Sequence, residues 1–210
     1  MQRELMKRTA NAFSHLRARM TTAFLDLRFG RLLRGVQETR FSQMGAYATA
    51  NSSYEAVRRL CRDCVRPADV LVDVGCGKGR VINAWLLDGF SNRIIGVELD
   101  SDVAANTRAR LRRFPNVTIL SGDIVANFPD EGTLFYLFNP FDHQVMQMFK
   151  DRLKESLSRR AGGEATVIYN NCRHLAVFAQ DEACQIERGE LEHPFSIIKV
   201  REAHRRGILV

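Results

Sequence analysis

The stretch Val70 to Arg80, Val-Leu-Val-Asp-Val-Gly-Cys-Gly-Lys-Gly-Arg, constrains this chain more than any other. Val70, Leu71, Val72 and Val74 form a nearly unbroken apolar run, the pattern of a strand buried on both faces. The run stops at Gly75, Gly77 and Gly79, three positions without a Cβ, where a backbone can turn tightly and approach a ligand closely. Val81, Ile82, Ala84, Trp85 and Leu86 then resume at helical spacing. Strand, glycine turn and helix open a nucleotide-binding βαβ unit.

The spacing bears on which nucleotide. The dinucleotide fingerprint is G-x-G-x-x-G, whereas the glycines here run G-x-G-x-G and Arg80 stands where the third glycine belongs. Asp73 lies inside the end of the strand, two residues before the first glycine. A carboxylate there repels a pyrophosphate and suits a ligand that carries an ammonium group. Glu98 ends the next apolar run, nineteen residues after Gly79. An acid at that distance is placed to accept hydrogen bonds from ribose hydroxyls.

With Ser121-Gly122-Asp123-Ile124 and Asn139-Pro140-Phe141, these segments give four motifs in order, and the chain resembles the class I S-adenosylmethionine-dependent methyltransferases. The resemblance implies S-adenosyl-L-methionine as cofactor. Gly75, Gly77 and Gly79 would lie under its methionine and ribose parts, and Asp73 would face the amino group, often through water. Glu98 would bind the ribose hydroxyls, Leu99 and Ile124 would pack on the adenine, and Asp123 would accept from the adenine amino group. Tyr47 and Thr49 loosely match an aromatic and a hydroxyl residue that relatives carry close to the cofactor, without the usual proline.

Asn139-Pro140-Phe141 resembles the Asn/Asp-Pro-Pro-aromatic motif of amino-directed methyltransferases. There the Asn oxygen and the next carbonyl accept N–H bonds and aim the nitrogen lone pair at the methyl. The resemblance therefore implies methyl transfer to an amino nitrogen, on a protein lysine or a small amine, with Asn139, Pro140 and Phe141 as the catalytic set. The second proline is absent and Phe141 comes one place early, which counts against a flipped-base substrate. In motifs the chain is closest to the seven-strand protein-lysine methyltransferases and their uncharacterised bacterial relatives. The alternative is a cofactor-binding or basic interaction protein that keeps the fold without transferring methyl groups; the intact acids and glycines favour the enzyme. His143, beside the motif, reads as a surface residue or a base. No His/Cys/Asp cluster has metal-ligand spacing, so no metal is expected.

Alternating strands and helices predict a doubly wound, mostly parallel seven-stranded α/β sheet with a C-terminal antiparallel hairpin, residues 184–191 against 195–200. Ser52 with Glu55 reads as a capping box, and Ser101 as the cap of a later helix. No window approaches the ~18 unbroken apolar residues of a membrane span, and the N-terminus has no apolar signal core. Five scattered cysteines suit reduced thiols and a cytoplasmic setting, with Cys61-Arg62-Asp63-Cys64 structural rather than metal-binding.

The net charge of +7 is unevenly placed. Residues 1–41 hold nine Lys/Arg against Glu4, Asp26 and Glu38, a net of +6. This basic extension, residues 1–41, precedes a methyltransferase-like domain at 42–210. Phe13, Leu16, Met20, Phe24 and Leu27 recur at spacings of three and four, which predicts an amphipathic helix from about 4 to 28. Its stripe would pack on the domain, cover the site as a lid, or dock on an acidic partner or anionic surface.

Overall fold

The computed structural model describes residues 16–33, 35, 40–47, 51–160 and 162–201. Phe13 and Thr49 lie outside the described residues. The chain divides into two compact units, Met1–Arg34 and Gly35–Val210, a division earlier than the expected one after residue 41.

In the first unit, residues 16–28 are helical (α1). Leu16, Met20, Phe24 and Leu27 form the expected stripe, but each side chain is more than half exposed. Asp26 is buried instead, and its Oδ2 accepts from the Leu33 amide at 3.0 Å, which closes the turn after the helix.

The second unit is built on one seven-stranded sheet. Its strands are β1 (Val70–Val74), β2 (Arg93–Glu98), β3 (Val117–Ser121), β4 (Leu134–Phe138), β5 (Glu164–Asn170), β6 (Cys184–Glu190) and β7 (Pro194–Arg201), in the order β3-β2-β1-β4-β5-β7-β6. The first five strands pair in parallel, and β7 runs antiparallel to both β5 and β6. The hairpin thus inserts its second strand next to β5 and leaves β6 at the edge. The burial of the strands follows their place: Leu134, Phe135, Tyr136 and Leu137 of central β4 are fully buried, whereas β6 alternates.

Helices α2 (Tyr54–Cys61), α3 (Arg80–Leu87), α4 (Ser101–Leu111), α5 (His143–Ser158) and α6 (Ala176–Ala179) cover the sheet connections. Two caps differ from expectation by one residue. Ser53, not Ser52, caps α2, its Oγ accepting from Ala56 N at 3.0 Å. Asp100, not Ser101, caps α4, because its carboxylate reaches the amides of Asp102 and Val103. An ionised cap at a helix N-terminus outcompetes a neighbouring hydroxyl through the helix dipole. Ser52 is left buried, and its Oγ accepts from the Tyr136 hydroxyl at 3.1 Å. All five cysteines are free; burial pushes the Cys61 thiol up to about 12, so it is unreactive at neutral pH.

Candidate active site

The parallel topology puts the ends of β1, β2, β3, β4 and β5 on one side of the sheet, where open α/β sheets bind ligands. The glycine turn leaves β1 there. Gly75, Gly77 and Gly79 take φ of 69°, 50° and 74°, left-handed values that cost a side-chain-bearing residue about 1–2 kcal/mol. At Gly75 space is short as well, since a Cβ would meet Pro140 Cβ at 2.9 Å. The turn and the β4 end are therefore in contact.

The turn is held from β2 and α4. Glu98 Oε2 accepts from Gly77 N at 2.8 Å, and its Oε1 accepts from Asp100 N at 2.9 Å. Thr107 Oγ1 donates to Gly77 O at 2.8 Å, and Arg110 Nη2 to Lys78 O at 2.6 Å. Burial raises the Glu98 carboxyl above its usual range, and the Asp100 and Gly77 amides pull it back. Leu99, next in sequence, is half-buried.

Asp73 is the exception to this satisfaction. Its side chain is 3% exposed, and Oδ2 has no hydrogen-bond partner among the described residues. Burial first, then the negative Glu98, pushes its carboxyl well above the usual carboxylate range. It lines a cavity of about 20 Å³ with Asn51, Ser52, Gly75, Arg80 and Phe138, room for one water. At the end of β3, Asp123 Oδ1 accepts from Val125 N and Ala126 N and so closes the following turn. Ile124 belongs to the buried core cluster.

The β4 end differs from the expected arrangement. Asn139 follows β4 with φ 42° and is 7% exposed. Its Oδ1 accepts from the Tyr169 hydroxyl at 3.0 Å, and Tyr169 Oη accepts from His174 N at 3.2 Å. That second bond uses a Tyr169 lone pair and leaves its proton for Asn139, which orients the amide with Oδ1 toward Tyr169. Pro140 O accepts from Tyr47 N at 3.0 Å, and Asp142 N donates to Gly45 O at 2.8 Å. Residues 45–47 are thus pinned across the β4 end. The Phe141 ring is 6% exposed, packs 6.0 Å from Phe149 and belongs to the core.

Tyr47, loosely matched to a cofactor-side aromatic in the sequence, His143, beside the Asn-Pro-Phe motif, and His174 gather at this rim. Tyr47, 41% exposed, has its hydroxyl 3.2 Å from His174 Nε2, with the two rings nearly parallel. His143 meets the His174 ring edge-on at 6.0 Å. Tyr169 and His174 carried no signal of their own, because the β5–α6 connection that supplies them matches no motif.

A family model described as a methyltransferase domain matches residues 72–154, which span the glycine turn, Glu98, Asp123 and Asn139. The fold is that of the class I methyltransferases. Solved structures agree with this methyltransferase fold. One is an RNA methyltransferase from Salinibacter ruber in complex with S-adenosyl-L-homocysteine, at TM-score 0.55 and 22% identity, covering 74% of this chain and 95% of that one. Another is the S-adenosyl-L-homocysteine-bound Podospora anserina methyltransferase PaMTH1, at TM-score 0.58 and 12% identity, covering 73% and 80%. A third, the mitomycin 7-O-methyltransferase MmcR, shares 19% identity at TM-score 0.52, covering 70% of this chain and 53% of that one. Among curated proteins, none matches the sequence.

Proposed function

We propose that this chain is an S-adenosyl-L-methionine-dependent methyltransferase whose cofactor lies across the glycine turn. One observation carries the reading: the Asp73 oxygen that is buried and unpartnered beside a cavity of water size. A buried carboxyl oxygen without a partner costs the fold free energy. A fold retains such a group where a ligand completes it, and an ammonium group, directly or through one water, does so. Gly75 has no room for a Cβ, which would meet Pro140 Cβ at 2.9 Å, so the turn packs directly on the β4 end.

The remaining residues fit the same ligand. Glu98 already fixes the turn through Gly77 and has lone pairs left for ribose hydroxyls. Leu99, Ile124 and Asp123 stand at the ends of β2 and β3, where the adenine would lie. When bound, the cofactor supplies an activated methyl on a sulfonium. The chain's own work is to fix that ligand, exclude water and align the acceptor.

The amino-nitrogen acceptor, protein lysine included, draws less support from this geometry than from the motif. Both oxygens that would guide an N–H, Asn139 Oδ1 and Pro140 O, already accept a hydrogen bond within the fold. The Phe141 ring is in the core.

Calorimetry tests the cofactor. S-adenosyl-L-methionine and S-adenosyl-L-homocysteine should bind with micromolar affinity or better, NAD should bind far more weakly, and Asp73→Ala should remove at least about tenfold of the affinity, the equivalent of ~1.4 kcal/mol. Equal affinity for NAD and S-adenosyl-L-methionine rules the reading out.

A further inference from the structure

The rim of the site holds a proton-accepting pair that the cofactor half does not use. Tyr47 comes from the segment pinned across the β4 end, His174 from the β5–α6 connection and His143 from the start of α5. The three converge beside Asn139, whose neighbour Pro140 lies against Gly75 of the glycine turn. The chain Asn139–Tyr169–His174–Tyr47 is continuous, each link a hydrogen bond of 3.0–3.2 Å. It fixes the His174 backbone from one side, while the imidazole meets the exposed Tyr47 side chain on the other.

We propose that Tyr47 and His174 form the proton relay on the acceptor side of the methyl-transfer site, and that the group methylated is a hydroxyl. The proposal rests on the cofactor reading above. Its first support is geometry: the exposed Tyr47 hydroxyl lies 3.2 Å from His174 Nε2, a pair that can take the proton of a hydroxyl acceptor, while Asn139 Oδ1 and Pro140 O each have one of two lone pairs already used within the fold. Its second support is the environment of the imidazole. Burial, then the adjacent His143, holds His174 below the usual histidine range; Asp142 opposes this and Arg173 adds to it. Tyr47 and Tyr169 are the other titratable groups in contact, and burial raises the Tyr169 phenol above its usual range. His174 is therefore neutral at pH 7 and free to take a proton.

The step balances. The acceptor O–H gives its proton to Tyr47 Oη as the Tyr47 proton passes to His174 Nε2, which becomes imidazolium. The acceptor oxygen forms the new O–C bond to the methyl, and the electron pair of the broken C–S bond stays on sulfur. The products are a methyl ether, a neutral thioether and a protonated His174 that returns its proton to solvent.

Histidine-selective ¹⁵N NMR on the full chain saturated with S-adenosyl-L-homocysteine tests the pair without turnover. His174 Nε2 should show the shift of an unprotonated ring nitrogen that accepts a hydrogen bond, and should titrate below the usual 6.5. Tyr47→Phe should move that titration. A protonated Nε2 at pH 7.5, or no response to Tyr47→Phe, overturns the relay. Two probes of similar shape, p-cresol and 4-methylbenzylamine, then test the acceptor class. The phenol should shift the His174 signals saturably and the amine should not; preference for the amine, or no response to either, overturns the hydroxyl assignment. With labelled cofactor and p-cresol, Tyr47→Phe and His174→Gln should each lose roughly 10²-fold or more of the methylation rate. For the wild type the rate should rise with pH through the His174 titration, and for His174→Gln that rise should be absent. Failure of S-adenosyl-L-homocysteine to bind at all defeats the underlying cofactor reading, whereas intact binding with an unmoved pH profile defeats this proposal alone.

Discussion

The two halves of the cleft are built differently. The half at β1 and β2 is made by backbone: three left-handed glycines, with amides and carbonyls tied to Glu98, Thr107 and Arg110. The half at β4 and β5 is made by side chains that reach across the sequence. Tyr169 bonds Asn139 thirty residues away, and Tyr47 meets His174 across 127 residues. The first half therefore presents a fixed cradle, and the second a surface that a few substitutions can change. A fold that binds one donor and serves many acceptors needs that division.

The largest expected effect tests the rigidity of the first half. Glu98→Ala removes the acceptor for two amides, those of Gly77 and Asp100. Each amide left unpaired in a buried setting costs about 1–3 kcal/mol. Thermal unfolding should show a Tm lower by several degrees, and calorimetry a loss of S-adenosyl-L-homocysteine binding. An unchanged Tm would mean that the turn holds its shape without Glu98, and the contrast between the halves would weaken.

Gly75→Ala follows. Its strained φ costs about 1–2 kcal/mol, a Tm drop of roughly 2–8 °C for a chain of this size, and the new Cβ would press on Pro140. Cofactor affinity should fall with it. Gly89, with φ 79° and open space around it, serves as control: Gly89→Ala should cost stability alone and leave binding intact.

The contrast also explains what the sequence could show. Motif reading depends on residues close together in the chain, and the glycine turn with Glu98 is such a local device, so Asp73, Gly75 and Glu98 fall at the strand ends as expected. The seven-stranded sheet was legible for the same reason: apolar runs such as residues 134–138 declare a central strand. The rim was not legible. Tyr169 lies inside an apolar strand and reads as core, and nothing local marks its hydroxyl as the support of Asn139. The early position of Phe141 counted against a base-stacking role, and the ring packs toward Phe149 in the core. On α1 the 3.6-residue period was real, but periodicity does not say whether Leu16, Met20, Phe24 and Leu27 have a partner, and they are exposed.

Tyr169→Phe tests the second half, with no loss of cofactor binding expected. It removes the donor to Asn139 Oδ1 and the acceptor of the His174 amide, while the ring still packs. The expected cost is about 1–3 kcal/mol, with S-adenosyl-L-homocysteine affinity unchanged and the His174 NMR signals shifted. Loss of cofactor binding in this variant would show that the halves are not independent.

The smallest effect has the opposite sign and concerns Asp73, whose Oδ2 has no partner among the described residues. Asp73 carries a carboxyl whose folded value lies well above the ordinary one, through burial and then the charge of Glu98. Between the ordinary carboxylate range near pH 4 and that raised value, the folded protein holds a proton that the unfolded chain releases. Stability therefore falls as pH rises through this window, and above it the whole penalty is present. Below about pH 4 both states hold the proton and the penalty disappears. Asp73→Asn keeps the shape without the charge, so the unliganded variant should be more stable than wild type at pH 7 by about 0.5–1 kcal/mol, the lower part of what single stabilising substitutions yield. Chemical denaturation at pH 7 and pH 4 measures it, and the two proteins should converge at the lower pH. The same variant should bind S-adenosyl-L-homocysteine more weakly, since an amide offers an ammonium group no charge. A gain in stability with a loss in binding marks a group kept for its ligand. An Asn variant that is less stable at pH 7, or whose difference from wild type ignores pH, would make Asp73 a structural residue and remove the observation on which the cofactor site rests.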